Sequence, residues 1–540
     1  MTYSWQNAIY FAMNITNEIL PDDPAELKKI IAKMADNYAE NEQRYQERID
    51  HLEDYVRLLK NEIFGRKSEK RPFPDPQQRV LFNEAEYEDQ QQAANEQKTV
   101  VPEHTRRKRG RKPLPANLPR VDVVHDIDES EKTCPCGCRL KRIGEDVCEK
   151  LDYVPAKLQV ERHIRYKYAC PECEGVEDDG PTVKIASVPV QLLPKSMATA
   201  GLVAQIVTAK FEDALPLYRQ EKIFARLGID LPRATMAGWM IKVADRAGPL
   251  LDLLYRQIRC GPIVNIDETP VQVLKEPGRA NTTKSYMWVF CGGDPDRPAL
   301  VYRYHPSRSG EVPCDFLSGF TGYIQTDGYN GYEALGRKNG IELVGCWAHA
   351  RRKFDKVIKA KANKQKQGAA DEAMDFIGRL YKIEKQARKD QLNADERRQY
   401  RQQEAKPVLD EFKKWLNAKA PVTPPKGLLG QAIGYTLKFW DRLIKYVDDG
   451  RLQPDNNVAE NAIRPFVVGR KNWLFSGHPR GAESSAALYS LIETSKANGI
   501  KPYEYLQYLF NRLPFCETEA DYQALLPNIV EPITINSASR

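Results

Sequence analysis

The run Pro262-Ile263-Val264-Asn265-Ile266-Asp267-Glu268-Thr269 begins as a short apolar strand signal and ends abruptly in two carboxylates. Two further runs rich in β-branched and aromatic residues, Tyr286–Cys291 and Ala299–Tyr304, also read as strands. A helical segment, Val312–Phe320, leads to a fourth run, Gly322-Tyr323-Ile324-Gln325-Thr326, which ends in Asp327. Carboxylates at the carboxyl ends of two neighbouring strands are costly to ionise together unless a cation sits between them.

The pattern continues with a helix at Tyr329–Asn339, a fifth strand at Ile341–Cys346 and a helix opening at Trp347. Three strands, helix, strand, helix, strand, helix is the order of a ribonuclease-H-like α/β core, here spanning 261–352 and resuming at 447–485. Residues 353–446 between them are helical and basic, interrupted by Pro421, Pro424 and Pro425, and read as an insertion with a solvated, dimer-forming or DNA-facing surface. On the far side, Asp455 or Asn456 can cap a short helix carrying Glu460, with Arg464 four residues on. The stretch Gly469–Ser485 mixes Arg470, Lys471 and Trp473 with Gly and Ser, a composition suited to a loop against nucleic acid. Residues 486–540 read as an amphipathic helix and a mostly loose tail.

Upstream, a helix from about Ala25 to Ile63 carries a heptad seam. Ile31, Tyr38, Tyr45, Leu52 and Leu59 occupy one position; Ala35, Glu42, Ile49, Val56 and Ile63 the other. Residues 1–70 are therefore expected to form a coiled coil and a homo-oligomer, the alternative being an amphipathic helix packed on its own domain. Residues 71–120 read as a disordered linker that ends in a basic run, Arg106, Arg107, Lys108, Arg109, Arg111 and Lys112 around Gly110. Such a run suits a narrow minor groove, or simple phosphate attraction. In 121–190, Cys134, Cys136 and Cys138 precede a Cys-Pro-Glu-Cys knuckle at Cys170 and Cys173, and a strand-like run, Gln159–Ala169, lies between. Two of the first three cysteines with Cys170 and Cys173 would make a tetrahedral structural Zn²⁺ site in a ribbon-like β unit. Residues 191–260 are helical, and Leu217–Leu227, Gly228-Ile229-Asp230 and Thr235–Ala244 resemble a helix-turn-helix or an ordinary helical hairpin.

The whole is thus a multidomain α+β chain. No apolar stretch approaches the ~18 residues of a membrane span, and no Lys or Arg precedes Lys28 as a signal peptide would require. The eleven cysteines cluster unevenly, which favours metal binding in a reducing, cytoplasmic setting, associated with the nucleoid, over disulfides. Three oxygen-donor carboxylates from separate elements can hold two Mg²⁺ or Mn²⁺ ions for phosphodiester chemistry. Asp267, Asp327 and Glu460 fit that need, with Asp267 bridging. His349 and Arg351, opening the helix after the fifth strand, could reach a scissile phosphate, and His349 also suits a cap.

Several motifs together resemble one family. They are Asn265-Ile266-Asp267-Glu268-Thr269, Thr326-Asp327-Gly328-Tyr329-Asn330-Gly331-Tyr332, Cys346-Trp347-Ala348-His349-Ala350-Arg351-Arg352-Lys353-Phe354, Asn457-Val458-Ala459-Glu460-Asn461-Ala462-Ile463-Arg464-Pro465 and Gly469–Gly477. Phe64–Lys70, Gly110–Pro115 and Arg142–Asp146 belong with them. The chain is similar to transposases of the insertion-sequence-sixty-six family. The resemblance implies a DDE transposase that acts on double-stranded DNA at the terminal inverted repeats of its element, with a catalytic triad on Asp267, Asp327 and Glu460. It also implies a zinc finger on the cysteine cluster, whose Cys-Pro-Cys-Gly-Cys departs from the family's usual first pair, and small accessory proteins as partners. A related nuclease or recombinase, or an inactive DNA-binding derivative, would share most of these features.

Overall fold

The heptad-patterned stretch forms one long helix, α1 (Pro24–Phe64). The structure, a computed structural model, describes residues 23–64, 158–169, 183–185, 187–363 and 366–531. The expected linker, the basic run Arg106–Lys112, and Cys134, Cys136, Cys138, Cys170 and Cys173 lie outside the described residues. The chain divides into two compact units, one of residues 85–189 and one of 1–84 with 190–540. In the first, β1 (Lys167–Ala169) pairs antiparallel with β2 (Val183–Ile185). The expected strand at Gln159–Ala169 is shortened to its last three residues; the described residues before it are exposed and irregular.

After α1, the second unit continues with four helices, α2 (Ala200–Phe211), α3 (Leu217–Arg226), α4 (Arg233–Arg246) and α5 (Gly248–Cys260). Gly228, at φ 80°, ends α3, and the Ile229 amide donates to the Phe224 carbonyl at 3.0 Å, the left-handed cap that glycine allows without steric cost. Met236, Trp239, Met240 and Val243 of α4 enter the core, while Arg233, Ala234 and Thr235 at its start stay exposed.

The central sheet comprises β3 (Ile263–Val273), β4 (Lys284–Asp294), β5 (Arg297–His305), β6 (Gly322–Gln325) and β7 (Ile341–Val344), with the short run Phe475–Ser476 added in parallel to the end of β3. Two short helices, α6 (Glu311–Phe316) and α7 (Glu333–Gly336), precede β6 and β7. The strand order is β5-β4-β3-β6-β7, antiparallel across β5-β4-β3 and parallel across β3-β6-β7. Asp267 does not end its strand as expected. Thr269, Val271 and Val273 are buried and Pro270 and Gln272 exposed, and this alternation carries β3 six residues further along β4.

Helix α8 (Trp347–Ala360) leaves β7 and runs unbroken through Lys353, where the helical insertion is expected to begin. The insertion contains α9 (Ala369–Lys389), α10 (Ala394–Tyr400), a π-helical turn at Arg401–Ala405, α11 (Lys406–Lys419), α12 (Leu428–Lys438) and α13 (Trp440–Leu443). Trp347 and Phe354 of α8 join Phe412 and Trp440 in a hydrophobic core separate from that of the sheet. The π turn carries Arg401, which is fully buried. Its guanidinium meets both oxygens of Glu384, at 2.7 and 2.8 Å, and the carbonyls of Tyr446, Asp449 and Leu452 at 2.7 to 2.9 Å. A buried charge satisfied this completely is an anchor, and here it fixes the returning chain.

The chain ends in α14 (Asn457–Trp473), β8 (Phe475–Ser476), α15 (Pro479–Ala497), α16 (Pro502–Arg512) and α17 (Glu519–Ala524). The expected loop at Gly469–Ser485 is therefore mostly helix. Gly469 serves close packing: a Cβ there would lie 2.7 Å from the Tyr489 hydroxyl. Nor is the described part of the tail loose, since Leu525, Leu526 and Val530 are buried. Among the described residues no helix is long and apolar enough to cross a membrane.

Helix α15 closes the exposed edge of β5 with side chains. The Thr494 hydroxyl accepts from the Leu300 amide at 3.0 Å and donates to the Leu300 carbonyl at 2.9 Å, and Ser490 accepts from the Tyr302 amide at 2.8 Å. An open strand edge is a template for aggregation; these hydroxyls remove it. Thr494→Val keeps the shape and orphans both Leu300 groups, so it should cost about 2–4 kcal/mol. Urea unfolding of the full chain measures this, and an unchanged midpoint would count against the pairing.

Candidate active site

Parallel pairing of β3 with β6 ends at Asn265 opposite Gln325. Two residues further along each chain stand Asp267 and Asp327, so the register brings the two aspartates to matching positions on adjacent parallel elements. Burial first, then the charges of Glu268, Asp327 and Glu460, push the Asp267 carboxyl up to about 8, against one hydrogen bond from the Glu268 amide. Asp327 accepts from the Tyr329 amide at 2.8 Å, and its carbonyl accepts from the Tyr435 hydroxyl of α12 at 2.8 Å. Gly328 makes the turn at φ 86°, with Tyr435 and Phe439 pressed against the place a Cβ would take.

Glu268, which alternation turns away from Asp267, has a structural task. Its carboxylate pairs with Arg308, whose Nε lies at 2.7 Å, and accepts from the Tyr332 hydroxyl. Arg308 in turn stacks over the Tyr329 ring, 3.8 Å from its centroid. The loop that follows Asp327 is thus held by β3 through three side chains. Sequence reasoning assigned no role to Arg308, Tyr329 or Tyr332; the only sign is that aromatic residues recur directly after the second aspartate.

The glutamate arrives by a buried amide bridge. Asn265 Nδ2 donates to Gln325 Oε1 at 3.1 Å and to Asn456 Oδ1 at 3.0 Å, and Asn456 Nδ2 donates to the Ile266 carbonyl at 2.8 Å. Gln325 Nε2 donates to the Gly345 and Gln453 carbonyls. Asn456 is therefore not the side-chain cap of α14. Asp455 takes that part, accepting from the Asn457 amide at 3.1 Å, while Asn456 fastens the helix start to β3 four residues before Glu460.

Glu460 lies in the first turn of α14 and faces α8. Its carboxylate pairs with Arg352, and its Oε1 lies 3.6 Å from His349 Nδ1. Arg352 Nη1 is 3.2 Å from His349 Nε2. Among the described residues, Cys346, His349 and Glu460 are the group of ligand atoms lying within 4.8 Å of one another; Asp267, Asp327 and Glu460 do not form such a group. The other expected DNA-facing residues divide. Arg464 and Lys471 are exposed on α14. Arg470 is half-buried and bonds Thr269 of β3 at 3.1 Å. Trp473 packs on Phe466, with the Lys210 ammonium 5.2 Å from its ring. Arg351 is buried against the insertion, so Arg352 and not Arg351 stands beside the glutamate.

Asn456→Ala removes the link between β3 and α14 and should lower stability by about 2–4 kcal/mol. Hydrogen exchange should quicken at residues 457–461 while β4 keeps its protection. Equal loosening of both would show that the bridge is not the local anchor.

Four family models match the chain. The Transposase IS66 family covers residues 195–484 and the IS66 C-terminal element residues 490–528. The zinc-finger binding domain of transposase IS66 covers 131–174, and Transposase C of IS166 homeodomain covers 51–123. An uncharacterized protein of Sinorhizobium fredii, y4jD, is 35% identical over 537 residues, spanning 95% of this chain and 98% of its own. Another from that organism, y4qI, is 31% identical over 549 residues, 96% of this chain and 98% of its own. With its zinc-finger and zipper-like segments and a main match over the sheet and its helices, the chain belongs to the IS66 family of transposases.

Proposed function

We propose that the protein is a DDE transposase that cuts and joins DNA at the terminal inverted repeats of an insertion sequence, using a ribonuclease-H-like core. The observation that carries this reading is the register of β3 and β6, which sets Asp267 and Asp327 at matching positions, with the Asp267 carboxyl pushed up to about 8, mainly by burial. Two half-buried carboxylates at matching positions repel, and a divalent cation relieves that repulsion. The donors are all oxygens, which suits Mg²⁺ or Mn²⁺. Asp267 would hold both ions, with Asp327 and Glu460 each completing one site. Two ions bound there supply an activated attacking oxygen and a stabilised leaving oxygen.

The chain's own groups do the rest. Glu268, Arg308 and Tyr332 keep Asp327 in register. Arg352 holds the Glu460 carboxylate on α8, and a phosphate that competes for this guanidinium frees the glutamate to join the aspartates. Exposed Arg464 and Lys471 of α14, the helix that carries Glu460, and the exposed start of α4 provide DNA contacts, with further grip from the basic run Arg106–Lys112. Zinc held by two of Cys134, Cys136 and Cys138 with Cys170 and Cys173 stabilises the finger. Pairing of α1 seams gives a homo-oligomer, the accessory proteins of the element are partners, and the protein works on the nucleoid.

Asp327→Asn should abolish Mg²⁺-dependent cleavage of a duplex carrying the element's end while gel-shift binding persists. A variant that still cuts sinks the metal assignment. Joined strand-transfer products separate a transposase from a nuclease with the same core, which leaves cut ends alone. A wild-type chain that binds and never cuts is the inactive derivative.

A further inference from the structure

Cys346 ends the turn after β7 and stands at the N-cap of α8, His349 lies in the first turn of that helix, and Glu460 comes from α14. They bring a sulfur, a nitrogen and an oxygen within 4.8 Å of one another. His349 Nδ1 and Glu460 Oε1 face each other at 3.6 Å, both buried and both without a hydrogen-bond partner. Buried polar atoms are paired as a rule, so two orphans pointed at each other call for a shared partner. Around a tetrahedral zinc, with bonds of about 2.0–2.3 Å, adjacent ligand atoms stand about 3.3–3.8 Å apart. The nitrogen-to-oxygen separation is close to that span, and the thiol completes the group within 4.8 Å. Thiol, imidazole and carboxylate together also select Zn²⁺ over Mg²⁺, which takes oxygen ligands only.

We propose that Cys346, His349 and Glu460 form a Zn²⁺ site that is distinct from the Asp267–Asp327 pair and borrows its glutamate. Arg352 already braces one of the ligands from its outer side, holding Glu460 Oε2, as a supporting shell does. Burial pushes the Cys346 thiol up to about 12; zinc displaces that proton to solvent, since a coordinating thiol is deprotonated outright. With the metal on Nδ1, His349 carries its proton on Nε2, and Arg352 gives up its contact there while keeping the one to Glu460. Because Glu460 serves both sites, zinc withholds it from the aspartates and acts as a brake on Mg²⁺-dependent cleavage. The brake, though not the site, rests on the reading of Glu460 as the third catalytic carboxylate.

Metal content of the full-length protein tests the site without reference to activity. After dialysis against Zn²⁺, wild type should retain one more zinc per chain than either Cys346→Ser or His349→Asn, the zinc finger contributing equally to all three. The hydroxyl introduced by Cys346→Ser keeps an acceptor for the Asn456 amide, which now donates to Cys346 Sγ at 3.2 Å, and the His349 variant reads the same site without touching that bond. With Co²⁺ in place of zinc, the difference spectrum between wild type and Cys346→Ser should show a cobalt–thiolate charge-transfer band. Equal zinc content and a flat difference spectrum overturn the site. In cleavage assays with Mg²⁺, Cys346→Ser should withstand roughly ten-fold or more added Zn²⁺ than wild type. An extra zinc with identical zinc sensitivity overturns the brake. An extra zinc in a protein that never cleaves even after the zinc is stripped supports the site and overturns the catalytic reading of the triad.

Discussion

The buried amides Asn265, Gln325 and Asn456 join three parts of the chain that sequence separates widely. Asn265 stands on β3, Gln325 on β6 and Asn456 at the start of α14, and each hydrogen-bonds into backbone or amide rather than water. An unsatisfied amide in that position costs about 1–3 kcal/mol, so the three positions are mutually exacting. Shift β6 by one residue and Gln325 faces the wrong side, taking Asp327 with it. Move α14 and both Asn265 and the Ile266 carbonyl lose a partner. The carboxylates are costly passengers on this frame: Asp267 and Glu268 are both raised by burial. What holds them is the polar bridge and the Glu268–Arg308–Tyr332 cluster, not their own interactions.

The insertion belongs to the same constraint. Expected as a basic surface, it also has a core of its own and an anchor in Arg401, whose donors reach three carbonyls of the returning chain. From there the route to the glutamate is short. Trp347 donates its amide to the Pro454 carbonyl at 3.0 Å, and Tyr381 of α9 donates to Asp455 at 3.3 Å. Glu460 is therefore delivered from two sides, by the sheet through Asn456 and by the insertion through Asp455. A π turn, costly in isolation and common where a side chain must be re-aimed, is what points Arg401 inward.

Much of this was legible in the amino-acid order. Runs of apolar, β-branched and aromatic residues located the five strands, because a sheet buried on both sides writes its strands as apolar blocks. What escaped were features whose signal belongs to another element. Gly469, Pro479 and the basic residues around them look like loop chemistry, yet Gly469 is small because Tyr489 lies against it, and Pro479 opens α15 in its first turn, where proline is at home. The choice between Arg351 and Arg352, by contrast, is written in the helix spacing. Trp347, Ala350, Arg351 and Phe354 follow the three–four spacing of a buried stripe, which leaves His349 and Arg352 together on the other face. The amide bridge had no local signature at all, since asparagine before a helix reads as a cap whether or not its side chain turns inward.

Helix α1 applies the same helical logic to assembly. Its last turns rest on the main body through Leu58, buried against Ala360 and Leu428, and through Arg57, which donates to the Ala360 carbonyl at 3.2 Å. His51, Asp54 and Leu58, spaced three and four apart, form that docking stripe. The heptad seam lies elsewhere: Leu59 is one residue, about 100°, around the helix from Leu58. Ile31, Tyr38, Tyr45 and Leu52 remain between 56% and 64% exposed along it. A row of large apolar side chains at heptad spacing on a helix of 41 residues has little to gain from water and much from an identical row. Since docking uses one face and the seam another, pairing of two chains along α1 requires no release of the helix from its own body.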